Sequence, residues 1–294
     1  MGGSNRLDRQ IDSYLGTNHM HTKRIRHTIT KSPVIRPSLS WLYHRRLTAS
    51  DIFVASYPRA GSTWLRFLLY ELLTGQPTSF AAVNQAIPGI GRHFTAPRLI
   101  HETRLIQTHE PYRSAYGRAL YLVRDMRDVV ISEYHFQQLW QLYDGSFPDF
   151  IGDFLAGRVN RYGTWESHTN SWLDAQEAAP SRILLIRFDD LRYETRATLT
   201  RILTYLGAPA SDEVIAQAID NNTTHKMRAK ESALKFAAAD QNFVRQGQVG
   251  GWRNTLSDEQ QLLLEQEAGP TLCRLGYLQA PKENQQLDFS ATAP

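Results

Sequence analysis

The sequence predicts an α/β protein built as a single domain, with a central parallel β-sheet flanked by helices. Three observations carry this. Short, nearly continuous apolar runs recur at residues 52–56, 105–108, 119–123 and 183–186. Stretches with helical periodicity separate them, at 62–73, 128–140, 165–178 and 195–206. Strands that are apolar on both sides, alternating with helices, are what a parallel sheet covered on both faces requires.

Taken in order, residues 1–40 are polar, rich in Arg, His, Thr and Ser, and show no sustained period; they read as a basic leader or a loosely docked arm. The domain itself is expected over 41–280. It opens with the run Ile52-Phe53-Val54-Ala55-Ser56, broken by Pro58 to Gly61 before the helical stretch that begins at Ser62. Gly207 follows the helix ending at Leu206 as a C-cap, and Pro209 prevents its continuation. Ser257-Asp258-Glu259-Gln260 has the form of a capping box that opens a last helix. Residues 225–251 are polar, contain glycine and have no clear period, which suits a loop that closes over a ligand. Residues 281–294 form a polar tail.

Composition narrows the function classes. In 294 residues, 41% hydrophobic and 21% charged side chains make an ordinary globular balance. The net charge of +4 is uneven: residues 1–50 hold nine Lys/Arg against Asp8 and Asp12, giving +7, so the remainder carries −3. The basic character therefore belongs to the leader, and no nucleic-acid partner is expected. Cys273 is the only cysteine, which excludes an internal disulfide and a Cys-x-x-Cys redox pair. The longest apolar stretch, 64–73, is interrupted by Arg66 and Glu71 and is far below the ~20 residues that span a bilayer. With no apolar run near Met1 and Arg6 where a myristoylation signal needs Ser or Thr, a cytoplasmic protein without membrane insertion is expected.

The chemistry concentrates in a few segments. Ser56-Tyr57-Pro58-Arg59-Ala60-Gly61-Ser62-Thr63-Trp64 lies between a strand and a helix, where free backbone N–H groups and the positive helix end face an anion. No G-x-x-x-x-G-K-[ST] occurs, so this is not a Walker A loop; taken alone it is equally an ordinary strand-to-helix turn. Val123-Arg124-Asp125-Met126-Arg127-Asp128 ends a second strand, with Ser132 on the following helix, and offers an arginine fork plus a hydroxyl for phosphate. Taken alone, the Arg-Asp pairing is a structural salt bridge. A third basic segment runs from Phe243 through Arg245-Gln246-Gly247 to Gly250-Gly251-Trp252. His109, in Gln107-Thr108-His109-Glu110-Pro111 just after a strand, is a base candidate because imidazole titrates near neutrality.

Together these segments resemble the sulfotransferases that use 3′-phosphoadenosine 5′-phosphosulfate (PAPS). That family's Tyr-Pro-Lys-Ser-Gly-Thr-Thr-Trp is similar to Tyr57–Trp64, its Arg-Asp-Pro with a later Ser to Arg124 and Ser132, its Arg-Lys-Gly and Gly-Asp-Trp to Arg245-Gln246-Gly247 and Gly250-Gly251-Trp252, and its Lys-Thr-His-Leu-Pro to the His109 segment. The resemblance runs from about Asp51 to Tyr277 and implies a P-loop-nucleotide-kinase-like sulfotransferase fold with PAPS as donor, PAP as product and no metal. It implies that Arg59, Ala60, Gly61, Ser62 and Thr63 hold the 5′-phosphosulfate, that Trp64 lies against adenine, and that Arg124, Ser132, Arg245 and Gly247 bind the 3′-phosphate. Phe188, Asn222, Phe243 and Gln246 complete the implied donor site. His109 is implied as the catalytic base, with Arg59 offsetting charge on the leaving phosphate. The acceptor is then a small molecule carrying a hydroxyl or an amine.

The chain departs from the family at several places. Arg59, Gln107 and Gln246 stand where lysines are usual, and Thr224 stands where an adenine-stacking Phe is common. Glu110 beside the base either attracts a cationic acceptor or pairs with Arg113. Phe80, His93, Phe94, Tyr112, Trp140 and Tyr143 suit either an acceptor pocket or the core. His101-Glu102 lacks the second histidine of a zinc helix motif. The family's C-terminal dimer motif is not kept at 253–262, so oligomeric state stays open. A noncatalytic nucleotide-binding protein is the alternative reading; a kinase would need Mg²⁺ ligands and a P-loop lysine that the sequence does not offer.

Overall fold

The computed structural model describes residues 36–232 and 247–279. Four strands, β1 (Ile52–Ser56), β2 (Leu105–Thr108), β3 (Arg118–Val123) and β4 (Ile183–Arg187), form one parallel sheet in the order β2-β1-β3-β4. Ile52 pairs with Leu105 on one side and Arg118 on the other, and Ala119 pairs with Ile183. All four strands therefore end at the same edge.

Alternation along each strand divides the core in two. Phe53, Ala55, Ile106, Ala119, Tyr121 and Val123 point into one cluster, and Ile52, Val54, Leu105, Leu120 and Leu122 into the other. Helix α2 (Ser62–Thr74) covers the second face with Leu65, Leu68 and Leu69, while α4 (Met126–Leu139) covers the first with Met126, Val129 and Val130. Because both faces are covered, no strand shows a polar alternation, and this is why the runs are legible as strands in the sequence.

The remaining helices are α1 (Arg36–Tyr43), α3 (Phe80–Ala86), α5 (Phe147–Leu155), α6 (Trp165–Ala178), α7 (Phe188–Tyr193), α8 (Thr195–Leu206), α9 (Asp212–Asn221), α10 (Thr224–Ser232) and α11 (Asp258–Arg274). The caps behave as expected: Gly207 ends α8 at φ 71°, and Ser257 with Gln260 forms the reciprocal capping box of α11. Helix α4 starts two residues ahead of the expected 128, because the Asp125 side chain accepts from the Arg127 N–H and caps it. Two expectations change. Residues 36–43 are helical across the expected leader boundary at 40, with Pro37 in the first turn where its missing N–H costs nothing. The supposed loop 225–251 begins with helix α10, and residues 233–246 lie outside the described residues. Among the described residues no helix is long and apolar enough to cross a membrane.

Candidate active site

The carboxyl ends of the four strands deliver Ser56, Thr108, Val123 and Arg187 to one edge of the sheet, the edge at which parallel sheets place their ligands. The turn after β1 is shaped by Arg59 at φ 66° and Gly61 at φ 101°. Gly61 is required twice over: its φ is left-handed, and a Cβ built on it would stand 2.5 Å from the Phe188 ring. Gly61 also N-caps α2 without a side-chain bond, so the first N–H groups of that helix, from Ser62 and Thr63, are not consumed by a cap. Ala60 is buried, and its N–H donates to Tyr57 across 3.3 Å, which closes the turn.

Arg124 follows β3 directly. Its guanidinium lies 4.6 Å over Phe188, donates to the carbonyls of Gln248 (2.7 Å) and Arg59 (3.4 Å), and pairs with Asp128 at 3.6 Å. Burial presses its pKa below the usual arginine value, against the opposing pull of Asp128. Its Nε is buried with no hydrogen-bond partner among the described residues, an orphan donor beside the turn that an anion would satisfy. Asp128 in turn accepts from the N–H groups of Gly250 (2.9 Å) and Trp252 (3.1 Å) and thereby ties the Gly247–Trp252 segment to α4. The Oγ of Ser132, two turns along α4, accepts from the Arg59 Nε at 3.2 Å, and the Arg59 guanidinium lies 4.8 Å over Phe136. The two anion-directed segments thus meet: Arg59, Gly61, Ser62, Thr63, Trp64, Arg124, Ser132, Phe188 and Gly247 all line one cavity of about 380 Å³.

Asn222 is placed differently. Its side chain is buried and engaged with Glu71 (2.7 Å), Ala218 (2.8 Å) and Thr78 (2.9 Å), and its carbonyl accepts from the Trp64 indole N–H at 2.8 Å. It fixes Trp64 and does not itself line the cavity. Phe243, Arg245 and Gln246 lie outside the described residues.

His109 lines the same cavity. Its Nδ1 lies 2.8 Å from the Ser56 carbonyl oxygen, which only accepts, so Nδ1 carries the proton and Nε2 keeps its lone pair. Burial is the main cause that lowers its pKa to about 4, and Arg66, Arg161 and Arg59 press the same way. His168 supports it from behind, donating from Nε2 to the His109 carbonyl at 3.1 Å; its own pKa is pushed down to about 3, mainly by burial. A neutral imidazole with a defined acceptor nitrogen, facing the same cavity as the Arg59–Thr63 turn, is equipped to take a proton from a nucleophile.

None of the six aromatic or histidine candidates named for an acceptor pocket lines this cavity. Phe80 packs on Phe67 at 4.8 Å, Tyr112 on Trp172 at 5.3 Å and Tyr143 on Phe150 at 4.9 Å. The apolar wall comes instead from Phe136, Leu142, Tyr162 and Met227. One of these carried a signal: Phe136 is four residues after Ser132 on one helix and so shares its face. Glu110 is buried and lies between Arg113 (3.8 Å) and Arg161 (3.7 Å), the ion-pair alternative of the two. Among the described residues no cluster of three potential ligands could hold a metal ion.

The family model described as a sulfotransferase domain matches residues 49–268. Sulfotransferase 2B1 of Homo sapiens is 29% identical over 229 residues, which cover 69% of this chain and 61% of that protein. Sulfotransferase 1A1 of Rattus norvegicus is 24% identical, covering 70% of this chain and 79% of its own length. A flavonol sulfotransferase-like protein of Flaveria bidentis is 27% identical over 71% of this chain and 77% of its own. Among solved structures, mouse sulfotransferase SULT7A1 complexed with PAP superposes with a TM-score of 0.65 at 22% identity, covering 83% of this chain and 90% of that one. Retinol dehydratase in a complex with retinol and PAP gives 0.61 at 21% identity, over 81% and 86%. At such identities the structures establish a shared fold.

Proposed function

The chain belongs to the sulfotransferase family, and from that premise we propose that it takes PAPS as donor in the cavity between the Tyr57–Trp64 turn and Arg124, with His109 as the base that activates a small hydroxyl or amine acceptor. As a sulfotransferase it moves a sulfuryl group to a nucleophile. The observation that carries the mechanistic reading is the hydrogen bond from His109 Nδ1 to the Ser56 carbonyl, since it leaves Nε2 as the proton acceptor on a ring that lines the cavity.

Bound there, the donor supplies an anionic phosphate leaving group, and the bond from acceptor to sulfur forms as the sulfur–oxygen bond to that phosphate breaks. The acceptor proton passes to Nε2 of His109. Arg59 and the N–H groups at the start of α2 offset the negative charge that accumulates on the departing oxygen, and Arg59 does so as a fixed cation without giving up a proton. Arg124, Ser132 and Gly247 hold the 3′-phosphate, together with Arg245, Gln246 and Phe243 of the neighbouring segment. Trp64, kept in place by Asn222 and Phe188, faces the purine. The orphan Arg124 Nε and the uncapped N–H groups at the start of α2 both support an anion at this turn.

The acceptor has an apolar body, a reading supported by Phe136, Leu142, Tyr162 and Met227 on the cavity wall. The catalytic unit spans about residues 41–280, with helix α1 (Arg36–Tyr43) crossing its start, and it acts in the cytoplasm. Incubation with PAPS and a panel of phenols, aliphatic alcohols, sugars and amines tests the reading, with sulfated product and equimolar PAP as the expected outcome. Tight PAP binding with no transfer to any acceptor would favour a noncatalytic nucleotide-binding protein instead.

A further inference from the structure

We propose that Arg192, on α7, is a donor-specificity residue whose guanidinium forms the second wall of the purine slot opposite Trp64. It does there what an aromatic ring at position 224 does in the resembled family. The inference rests on the donor reading above.

The first wall is rigid. The Trp64 indole donates to the Asn222 carbonyl at 2.8 Å and meets the Phe188 ring edge-on at 6.4 Å and 71°. The position from which a phenylalanine would face it is held by Thr224, which lines the cavity with no π surface of its own. Arg192 lines the same cavity, and its guanidinium carbon stands 5.0 Å from the indole centroid. The Gly247 turn is also close, since a Cβ built there would come within 4.0 Å of that carbon. The guanidinium is therefore in reach of both the indole and the Gly247 turn.

The other two cavity arginines face away from the indole: Arg124 lies over Phe188 and bonds Asp128, the Gln248 carbonyl and the Arg59 carbonyl, and Arg59 bonds Ser132 and lies over Phe136, which leaves both to the phosphate end of the cavity. Arg192 makes no ion pair among the described residues. A guanidinium is flat, weakly hydrated and stacks on π faces, which a lysine ammonium does not. A base held in van der Waals contact on both sides needs about 7 Å between its two plates. To admit it, the guanidinium has to stand about 2 Å further from the indole than its present 5.0 Å, a shift made by rotating the long Arg192 side chain past the Cβ-less Gly247.

The test is calorimetric titration of the full chain with PAP and with 5′-AMP, which lacks the 3′-phosphate. Arg192→Ala is expected to weaken both ligands by a common factor of about 5–30, the size of a stacking or cation–π contact. Arg192→Lys is expected to recover little, and Thr224→Phe added to Arg192→Ala to restore affinity. A loss confined to PAP and reversed by Arg192→Lys would mean that Arg192 reads the 3′-phosphate, and the second-wall assignment would fall. Unchanged PAP affinity in a folded Arg192→Ala protein would overturn it as well. If the unmodified chain bound no PAP, the donor reading itself would fail and take this inference with it.

Discussion

His109 donates from Nδ1 to the carbonyl oxygen of Ser56 across 2.8 Å, linking the end of β2 to the end of the adjacent β1. The register aligns Ala55 with Thr108, so Ser56 and His109 are the next residues on two neighbouring parallel strands. The backbone of the strand that leads into the Tyr57–Trp64 turn thus sets the tautomer of His109. One sheet register positions both the turn and the imidazole.

Removing the base is expected to separate chemistry from binding. His109→Ala should lower kcat by about 10²- to 10⁴-fold while PAP affinity, read by calorimetry, changes by only a few-fold. Full turnover in this variant would remove His109 from the mechanism.

Stability should depend on pH in a window set by the buried histidines. His109 and His168 titrate at about 4 and about 3 in the folded protein, against about 6.5 when unfolded. Between those values the unfolded chain binds more protons, so stability is complete above pH 6.5 and declines as pH falls toward 4. The melting temperature should therefore drop between pH 7.5 and 5, and His168→Gln should flatten that slope. A melting temperature independent of pH over this interval would contradict the buried neutral assignment.

Gly61→Ala combines a left-handed φ of 101° with a 2.5 Å approach to Phe188. It should lower the melting temperature and weaken PAP by an order of magnitude or more, with a cost of ~1–3 kcal/mol from backbone strain alone. Adding Phe188→Leu relieves only the contact, so recovery in the double variant should be partial. The two contributions are read from a double-mutant cycle.

Asp128 is the residue whose importance the chain text does not announce. Asp128→Ala leaves Arg124 buried without its carboxylate and frees the N–H groups of Gly250 and Trp252. Loss of one partner of a buried pair costs ~3–5 kcal/mol, and PAP affinity should fall with it because the Gly247 segment is released. Unfolding by denaturant and PAP titration measure the two effects.

Glu110→Gln tests what a carboxylate beside the base is for. Lying between Arg113 and Arg161, Glu110 should matter to stability, so the variant should melt lower while KM for an amine acceptor shifts no more than KM for a phenol. A selective rise for the amine would reinstate the acceptor role.

Much of this was legible in the chain. Runs such as 52–56 and 119–123 are apolar throughout because both sheet faces are covered, so strand positions, the parallel class and the turn at Gly61 follow from composition and spacing. Gly207 and the Ser257–Gln260 box mark helix ends because capping is a local bond within a few residues. Arg59, Arg124 and His109 stand out as basic residue types just after strands, with Ser132 on the following helix, and the structure brings all four to one cavity.

The apolar wall of the cavity was not legible, and Phe80, Tyr112 and Tyr143 turned to packing contacts elsewhere. An aromatic residue carries no local signal of which space it fills. Whether Phe136 or Tyr143 faces the cavity depends on how helices from distant parts of the chain cross the sheet edge. The same holds for Arg192 above Trp64, 128 positions earlier in the chain, and for Asn222 holding the indole from α9. The sequence by itself determined the fold class, the turn after β1 and the positions of Arg59, Arg124 and His109 at the carboxyl edge of the sheet, because each depends on spacing within one strand–turn–helix unit. Only the tertiary structure decided the tautomer of His109, the engagement of Glu110 and the walls of the cavity, because those rest on contacts between elements far apart in the chain.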